Sequence, residues 1–246
     1  MLVAVLADVH ANREALEACL EHADRQGVTG HVFLGDLVGY GADPAWVVER
    51  VMAFARAGAI VVRGNHDEAI AHPRPGMREE AARAVAWTRD QLSAEQRDFL
   101  ARLPLRHEDD PLLYVHANGW APQDYDYIAG AFDAGRSLRA VRQAITFCGH
   151  SHDPVLYHMG LTQRVEEFKP VPGVPIVLSA TRRWLAIPGS CGQPRDGNPA
   201  ACYATWDPLM RMLTWWRVPY DTSSAAAKVR AAGLPQKLAT RLEGGV

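Results

Sequence analysis

In the first third of the chain, short apolar runs alternate with helical patterns. Leu2 to Ala7 is an unbroken apolar stretch, as expected of a strand buried on both faces. Asn12 then precedes a segment in which Ala15, Leu16, Cys19, Leu20 and Ala23 recur at helical spacing. A second run, Val32-Phe33-Leu34, leads into Gly35-Asp36. Asp43-Pro44 opens another helix as cap and first-turn proline, carrying Val47, Val48, Val51 and Phe54. A third run, Ala59 to Val62, ends in Arg63-Gly64-Asn65-His66-Asp67. The order strand–helix–strand–helix–strand predicts a parallel sheet covered by helices.

A helical stretch is expected from about Met77 to Arg102, interrupted near Ser93. Further strands are expected at Leu112–Val115, Thr146–Cys148, Val155–Tyr157, Ile176–Leu178, Trp184–Ile187, Cys202–Trp206 and Met212–Trp216. Most of the last third of the chain alternates apolar and polar residues, which suits antiparallel strands with one covered face. The tryptophans, Trp215 and Trp216 among them, fit core or sheet-face positions. No repeat, low-complexity linker or composition break interrupts the chain. Residues 1–246 are therefore expected to form a single domain, with 222–246 as a terminal helical segment.

Composition narrows the class. With 246 residues, 48% of them hydrophobic and 22% charged, the chain buries a sizeable core without needing disulfides. Cys19, Cys148, Cys191 and Cys202 form no Cys-x-x-Cys pair and read as buried apolar residues of a protein kept reduced. A formal charge of −2 and the absence of a polybasic run disfavour long nucleic acid or an anionic membrane as partner. The apolar start is short, lacks a basic leader and ends at Asp8, and no stretch approaches the ~20 residues of a membrane helix. A cytoplasmic protein without membrane partners is expected.

The candidate chemistry lies where the apolar runs end. Five of them finish within a residue or two of groups that bind metals: Asp8 and His10, Asp36, Asn65-His66-Asp67, His116, and His150 with His152. Turn-forming Asp and Asn account for any one of these, but not for five coincident placements. In an open α/β sheet the carboxyl ends of the strands line one crevice, where ligands bind. Five of the ten histidines sit in these motifs.

The ordered series Asp8-x-His10, Gly35-Asp36, Gly64-Asn65-His66-Asp67, His116 and Gly149-His150-Ser151-His152 resembles the calcineurin-like metallophosphoesterase superfamily, in particular its small bacterial phosphodiesterases and phosphatases. The resemblance spans Leu2 to about Tyr220. It implies a four-layer α/β/β/α sandwich of two mixed sheets flanked by helices, with a metal site at the carboxyl ends of the strands. It assigns Asp8, His10 and His152 to one metal, Asn65, His116 and His150 to another, and Asp36 to both. Such a mixed shell suits two divalent ions of manganese, iron, zinc or cobalt better than calcium. A shared carboxylate holds two cations about 3.5–4 Å apart, and a water between them becomes a nucleophilic hydroxide near neutral pH. By the same resemblance His66 faces the substrate and assists the leaving oxygen, with Asp67 orienting its imidazole and raising its pKa.

Other positions carry weaker signals. Asn12 and Arg13 start a helix, where backbone N–H groups favour anions, and are candidate substrate contacts. The turn-rich stretch Gly189 to Gly197 resembles a loop of the bacterial branch, and its Arg195 is a candidate phosphate clamp. Protein phosphatases and symmetric dinucleoside tetraphosphatases of the superfamily carry Asp-Arg-Gly after the second motif. Here Gly39-Tyr40-Gly41 stands instead, which counts against a phosphoprotein substrate. Ala117 follows His116 where many relatives have glycine, and Asn118 to Ile128 is the expected substrate-shaping loop. The expected activity is hydrolysis of a small phosphodiester or phosphomonoester, nucleotides included. The alternatives are a non-catalytic metal-binding scaffold of the same fold and a nuclease or dinucleoside polyphosphate hydrolase.

Overall fold

The computed structural model describes residues 1–73 and 79–246. The first three apolar runs form β1 (Val3–Leu6), β2 (Gly30–Phe33) and β3 (Ile60–Val61), joined by α1 (Arg13–Arg25) and α2 (Pro44–Arg56). These strands run parallel, Val5 opposite Val32 and Phe33 opposite Val61. β11 (Ala201–Asp207), β12 (Met212–Val218) and β9 (Ile176–Val177) add antiparallel strands, giving the order β3-β2-β1-β11-β12-β9.

A second six-stranded sheet has the order β4-β5-β6-β10-β7-β8, from β4 (Arg106–Asp109), β5 (Leu112–Val115), β6 (Ile145–Phe147), β10 (Arg183–Ile187), β7 (Val155–Met159) and β8 (Val165–Phe168). β5, β6 and β10 are parallel, while β4 and the β7–β8 pair are antiparallel to their neighbours. β4 and β8 are edge strands not anticipated from the pattern. Arg-His-Glu-Asp of β4 is exposed throughout, so backbone pairing with β5 alone defines it.

Side-chain alternation builds the layers. Val3, Val5 and Ala7 point between the sheets, where they meet Phe147, Trp184 and Trp215. Ala4 and Leu6 point the other way, onto Leu16, Leu20 and Val51 of α1 and α2. The outer face of the second sheet, including Val115, Tyr157 and Leu185, is covered by Ala134 and Leu138 of α6 (Ala131–Ala140). This is the expected α/β/β/α sandwich. The remaining helices are α3 (Asn65–Ala71), α4 (Glu79–Gln91), α5 (Ala94–Arg102), α7 (Thr222–Ala231) and α8 (Gln236–Gly244). Ser93 caps α5 and breaks the anticipated helix where expected, its hydroxyl accepting from Gln96 N at 3.2 Å. Met77 and Arg78, the expected start of that stretch, lie outside the described residues. All four cysteines are buried thiols. Among the described residues no helix is long and apolar enough to cross a membrane.

Candidate metal centre

The loops after β1, β2, β5 and β6 emerge at the same end of the two sheets, and backbone hydrogen bonds lay them side by side. Asp8 N and His10 N donate to the carbonyls of Gly35 and Asp36 at 3.1 and 2.9 Å. Gly149 N donates to His116 O at 2.7 Å. Asp8 crosses between the sheets, its carboxylate accepting from His150 N at 3.0 Å. The third loop closes onto the second, with Asp36 Oδ1 accepting from His66 N at 2.8 Å.

The backbone of these loops is strained. Asp8, His10, Asp36, His150 and His152 all have φ between 49° and 68°, in the left-handed region. Such a conformation costs roughly 1–2 kcal/mol for a residue bearing a Cβ. Ala11, Tyr40 and Tyr125 share it, so eight of the ten such residues described belong to the site and its borders. The packed strands beneath offset this strain. Leu6, Phe33, Leu34, Phe147 and Cys148 are fully buried, and a buried Leu or Phe side chain contributes about 1.5–3 kcal/mol.

The seven expected ligand side chains converge. Asp8, His10 and His152 present ligand atoms within 4.8 Å of one another, as do Asp36, His116 and His150. Asn65 joins the second group, its Oδ1 3.3 Å from His116 Nε2. Asp36 lies between the groups, with Oδ2 3.8 Å from His10 Nε2 and 3.4 Å from His116 Nε2.

The donor set fits cations and little else. Nδ1 of His10, His116 and His152 lies 3.2, 2.7 and 2.6 Å from the carbonyls of Val38, Leu34 and Gln193. A carbonyl only accepts, so each Nδ1 carries the hydrogen, and whenever the ring is neutral its Nε2 has a lone pair turned inward. Two of those lone pairs, on His10 and His152, face each other at 3.1 Å. That contact is repulsive unless positive charge stands beside it. Burial lowers the pKa of His10, His150 and His152, which keeps them neutral and able to ligate. Burial also pushes Asp8 up to about 7. It opposes charge on Asp36 as well, but His116, His66 and His10 around that carboxyl hold it well below the ordinary carboxylate range. His116, despite burial, is pushed up to about 9 by Asp36 and Asp8.

Beside this cluster opens a cavity of about 150 Å³, lined in part by Asp36, Asn65, His66, His150 and His152. Tyr40, Tyr127, Arg195, Glu80, Ala81 and Arg241 complete the lining, Tyr40 packing against the His10 and His66 rings. Tyr127 stacks on the His150 ring at 4.0 Å between centroids. The loop from Gly189 braces the centre from behind. Ser190 Oγ and Gly192 N donate to Asp8 O at 2.8 and 2.9 Å, and any Cβ at Gly192 would strike the Val9 carbonyl.

His66 faces the cavity without help from Asp67. The Asp67 carboxylate accepts from Leu37 N and Gly64 N, both at 2.9 Å, and from Val38 N at 3.3 Å, so it ties the second and third loops together. His66 Nδ1 is buried without a hydrogen-bond partner, and the ring is set by contact with Tyr40 (centroids 4.5 Å) and His10 (5.1 Å). Burial lowers its pKa against the pull of Asp36, the reverse of the shift anticipated from Asp67.

The two expected contacts at the start of α1 are directed elsewhere. Asn12 caps the helix, accepting from Ala15 N at 3.1 Å, and donates to Gly192 O at 2.7 Å. Arg13 pairs with Glu17 at 3.2 Å and lies over the Trp46 ring. Neither lines the cavity, whereas Arg195 does. Tyr40, Tyr127, Glu80 and Arg241 are cavity residues that the sequence reading did not single out. Only Tyr40, set between two glycines, and Tyr127, in the anticipated shaping loop, carry any sequence signal.

Comparison with known proteins agrees with this geometry. Residues 1–208 match the model of the calcineurin-like phosphoesterase superfamily domain. An uncharacterized protein of Methanocaldococcus jannaschii is 32% identical over 252 residues, covering 98% of this chain and 97% of the relative. The crystal structure of a metallophosphoesterase from Sphaerobacter thermophilus superposes with a TM-score of 0.88 at 38% identity, covering 100% of this chain and 99% of the other. A hypothetical protein from Pyrococcus horikoshii shares the fold, with a TM-score of 0.80 at 21% identity over 100% of this chain and 98% of its own. The chain therefore belongs to the calcineurin-like phosphoesterase superfamily, whose metal-dependent phosphoesterase fold and clustered ligand residues it carries.

Proposed function

We propose that the protein hydrolyses small phosphodiesters or phosphomonoesters, nucleotides included, with two divalent metal ions. Asp8, His10 and His152 would hold one, Asn65, His116 and His150 the other, and Asp36 both. The observation that carries this reading is two ligand clusters side by side, with Asp36 Oδ2 3.8 Å from His10 Nε2 of one and 3.4 Å from His116 Nε2 of the other, where Asp36, His150 and His152 line a cavity. When bound, such ions supply Lewis acidity and lower the pKa of water.

The chain's own groups position the ester. Arg195 presents a guanidinium held by Gln193 Oε1 at 3.1 Å, and its planar donors suit phosphoryl oxygens. His66 lines the same cavity, its backbone N–H bonded to the Asp36 carboxylate, and supplies a hydrogen bond or proton to the departing oxygen. Its depressed pKa keeps the free imidazole neutral near pH 7, so its strongest contribution is a hydrogen bond that tightens as charge develops. Tyr40 and Tyr127 line the cavity and favour an organic leaving group with a flat or apolar face.

The test is hydrolysis of bis-p-nitrophenyl phosphate and p-nitrophenyl phosphate by metal-stripped protein re-supplied with manganese, zinc, cobalt or iron(II). The Asp36→Asn variant runs alongside. Turnover that returns with metal and is lost in the variant supports the assignment, and the ratio of the two rates separates diester from monoester preference. Folded, metal-loaded protein without turnover on either ester or on a panel of nucleotides would leave a metal-binding scaffold instead.

A further inference from the structure

A second hollow, of about 340 Å³, lies next to the metal-centre cavity. Tyr127 lines both, its ring set by the stack on His150 at 4.0 Å between centroids. The ligand loop also divides between them. His150 and His152 line the metal-centre cavity, whereas Ser151 and Asp153, the residues that follow each, line the hollow. Consecutive Cα atoms are about 3.8 Å apart, so the hollow begins within one residue of the metal ligands. A short carbon skeleton attached to a phosphate at the metals is long enough to enter it.

The polar groups of this hollow are underused by the protein. Ser151 Oγ and Asp153 Oδ1 are buried and make no hydrogen bond. Among the described residues no ion pair engages Asp153 or Lys169, although the Lys169 ammonium and the Arg195 guanidinium both act on the Asp153 carboxylate. Glu167, opposite Tyr157 in the β7–β8 pair, completes the charged lining. Two carboxylates disfavour a second phosphate there, and Lys169 disfavours a cation. An apolar group would shut Ser151 and Asp153 away from any partner. Neutral hydroxyls meet every requirement, since they donate to a carboxylate and accept from an ammonium or a serine hydroxyl. The Tyr127 ring, with Ile128 and Val155, supplies apolar surface for the carbon skeleton that carries them.

From this arrangement we propose that the hollow is a subsite for a neutral polyhydroxylated group, a glycerol or sugar moiety with adjacent hydroxyls, carried by the phosphate ester. Asp153 and Lys169 are its specificity determinants and Tyr127 its platform. The proposal rests on the hydrolase reading for the placement of the phosphate at the metals. It deepens that reading by assigning the alcohol half of the ester, and it gives Ser151 and Asp153 a role separate from metal binding.

Three phosphates with one carbon skeleton test it on the full-length protein with metal in excess: propyl phosphate, glycerol 3-phosphate and 3-aminopropyl phosphate. Each is measured as a competitor of bis-p-nitrophenyl phosphate hydrolysis and by its shift of the thermal unfolding midpoint, which reports binding even without turnover. Glycerol 3-phosphate is expected to bind about tenfold or more tightly than propyl phosphate, the scale of one hydrogen bond to a charged group. In Lys169→Met, a change at an exposed side chain, that ratio should fall by about threefold or more. In the double variant Asp153→Ala, Lys169→Met it should approach unity. Equal binding of propyl phosphate and glycerol 3-phosphate by the unmodified protein overturns the subsite. Tighter binding of 3-aminopropyl phosphate than of glycerol 3-phosphate would make the hollow a cation site and overturns it too. A ratio unchanged in Lys169→Met overturns the assignment whether or not the double variant folds. Discrimination by thermal shift without any hydrolysis would support the subsite and sink the hydrolase reading, whereas metal-dependent turnover with equal binding would do the reverse.

Discussion

Gly39→Ala should disable His66 without touching a metal ligand. A Cβ at residue 39 would lie 2.5 Å from His66 Nδ1, 3.0 Å from Cγ and 3.3 Å from Cβ. Ordinary contact begins near 3.4 Å, so the imidazole must retreat by close to 1 Å. Because the root of the side chain is crowded as well as its tip, rotation alone does not relieve the clash. A displacement of that size in a catalytic group costs on the order of 10²-fold in rate. Holding alanine at φ +86° adds roughly 1–2 kcal/mol of destabilisation, which a domain stable by about 5–15 kcal/mol tolerates. The assay compares kcat on an alkyl phosphate ester and on bis-p-nitrophenyl phosphate, whose leaving group needs little help. The loss should be about 10²-fold on the first and several-fold smaller on the second, with metal content unchanged. The decisive comparison is the double variant. In a His66→Ala background the Gly39→Ala change should cost almost nothing, because the ring it displaces is already gone. Additive losses would show that Gly39 acts elsewhere and refute the reasoning.

Three further outcomes follow from the same contacts. Asp67→Ala leaves the N–H groups of Leu37, Val38 and Gly64 without their acceptor, and should lower unfolding stability by about 3–5 kcal/mol in urea; a loss below about 1 kcal/mol would contradict the loop-tying role. Chelation should lower the melting temperature and metal should restore it, because the inward lone pairs of His10 and His152 repel in the metal-free chain; an unchanged melting temperature after verified metal loss would count against the ligand set. Asp221 caps α7 through the Ser224 hydroxyl, Ser224 N and the Ser223 hydroxyl, which hold its pKa down to about 2. A depressed carboxyl stabilises the fold above its ordinary value of 3.8, and that contribution is lost as pH falls through about 2. An NMR titration placing Asp221 at or above 3.8 would refute this.

The features legible in the chain are those that local rules govern. Unbroken apolar runs marked β1, β2, β3 and β5, and a polar group after each marked the floor of the site. That worked because a strand buried on both faces must be apolar, and the first residue beyond it is the first free to be polar. The edge strands β4 and β8 escaped notice, since backbone pairing alone makes them strands and their side chains carry no alternation. The rest of the cavity depends on long-range packing. Asp67 looked like the orienting partner of His66 by adjacency, yet neighbours in a helix's first turn point to different sides, and three backbone donors claimed its carboxylate. Asn12 and Arg13 had the right place in the chain but were taken by the cap, Gly192 and Glu17. Arg241, more than two hundred residues from Asp8, gave no sign of reaching the cavity. Its position depends on how α8 packs against α7 and α4 and on a hydrogen bond between Gly197 and Gly245, long-range contacts that no local pattern encodes.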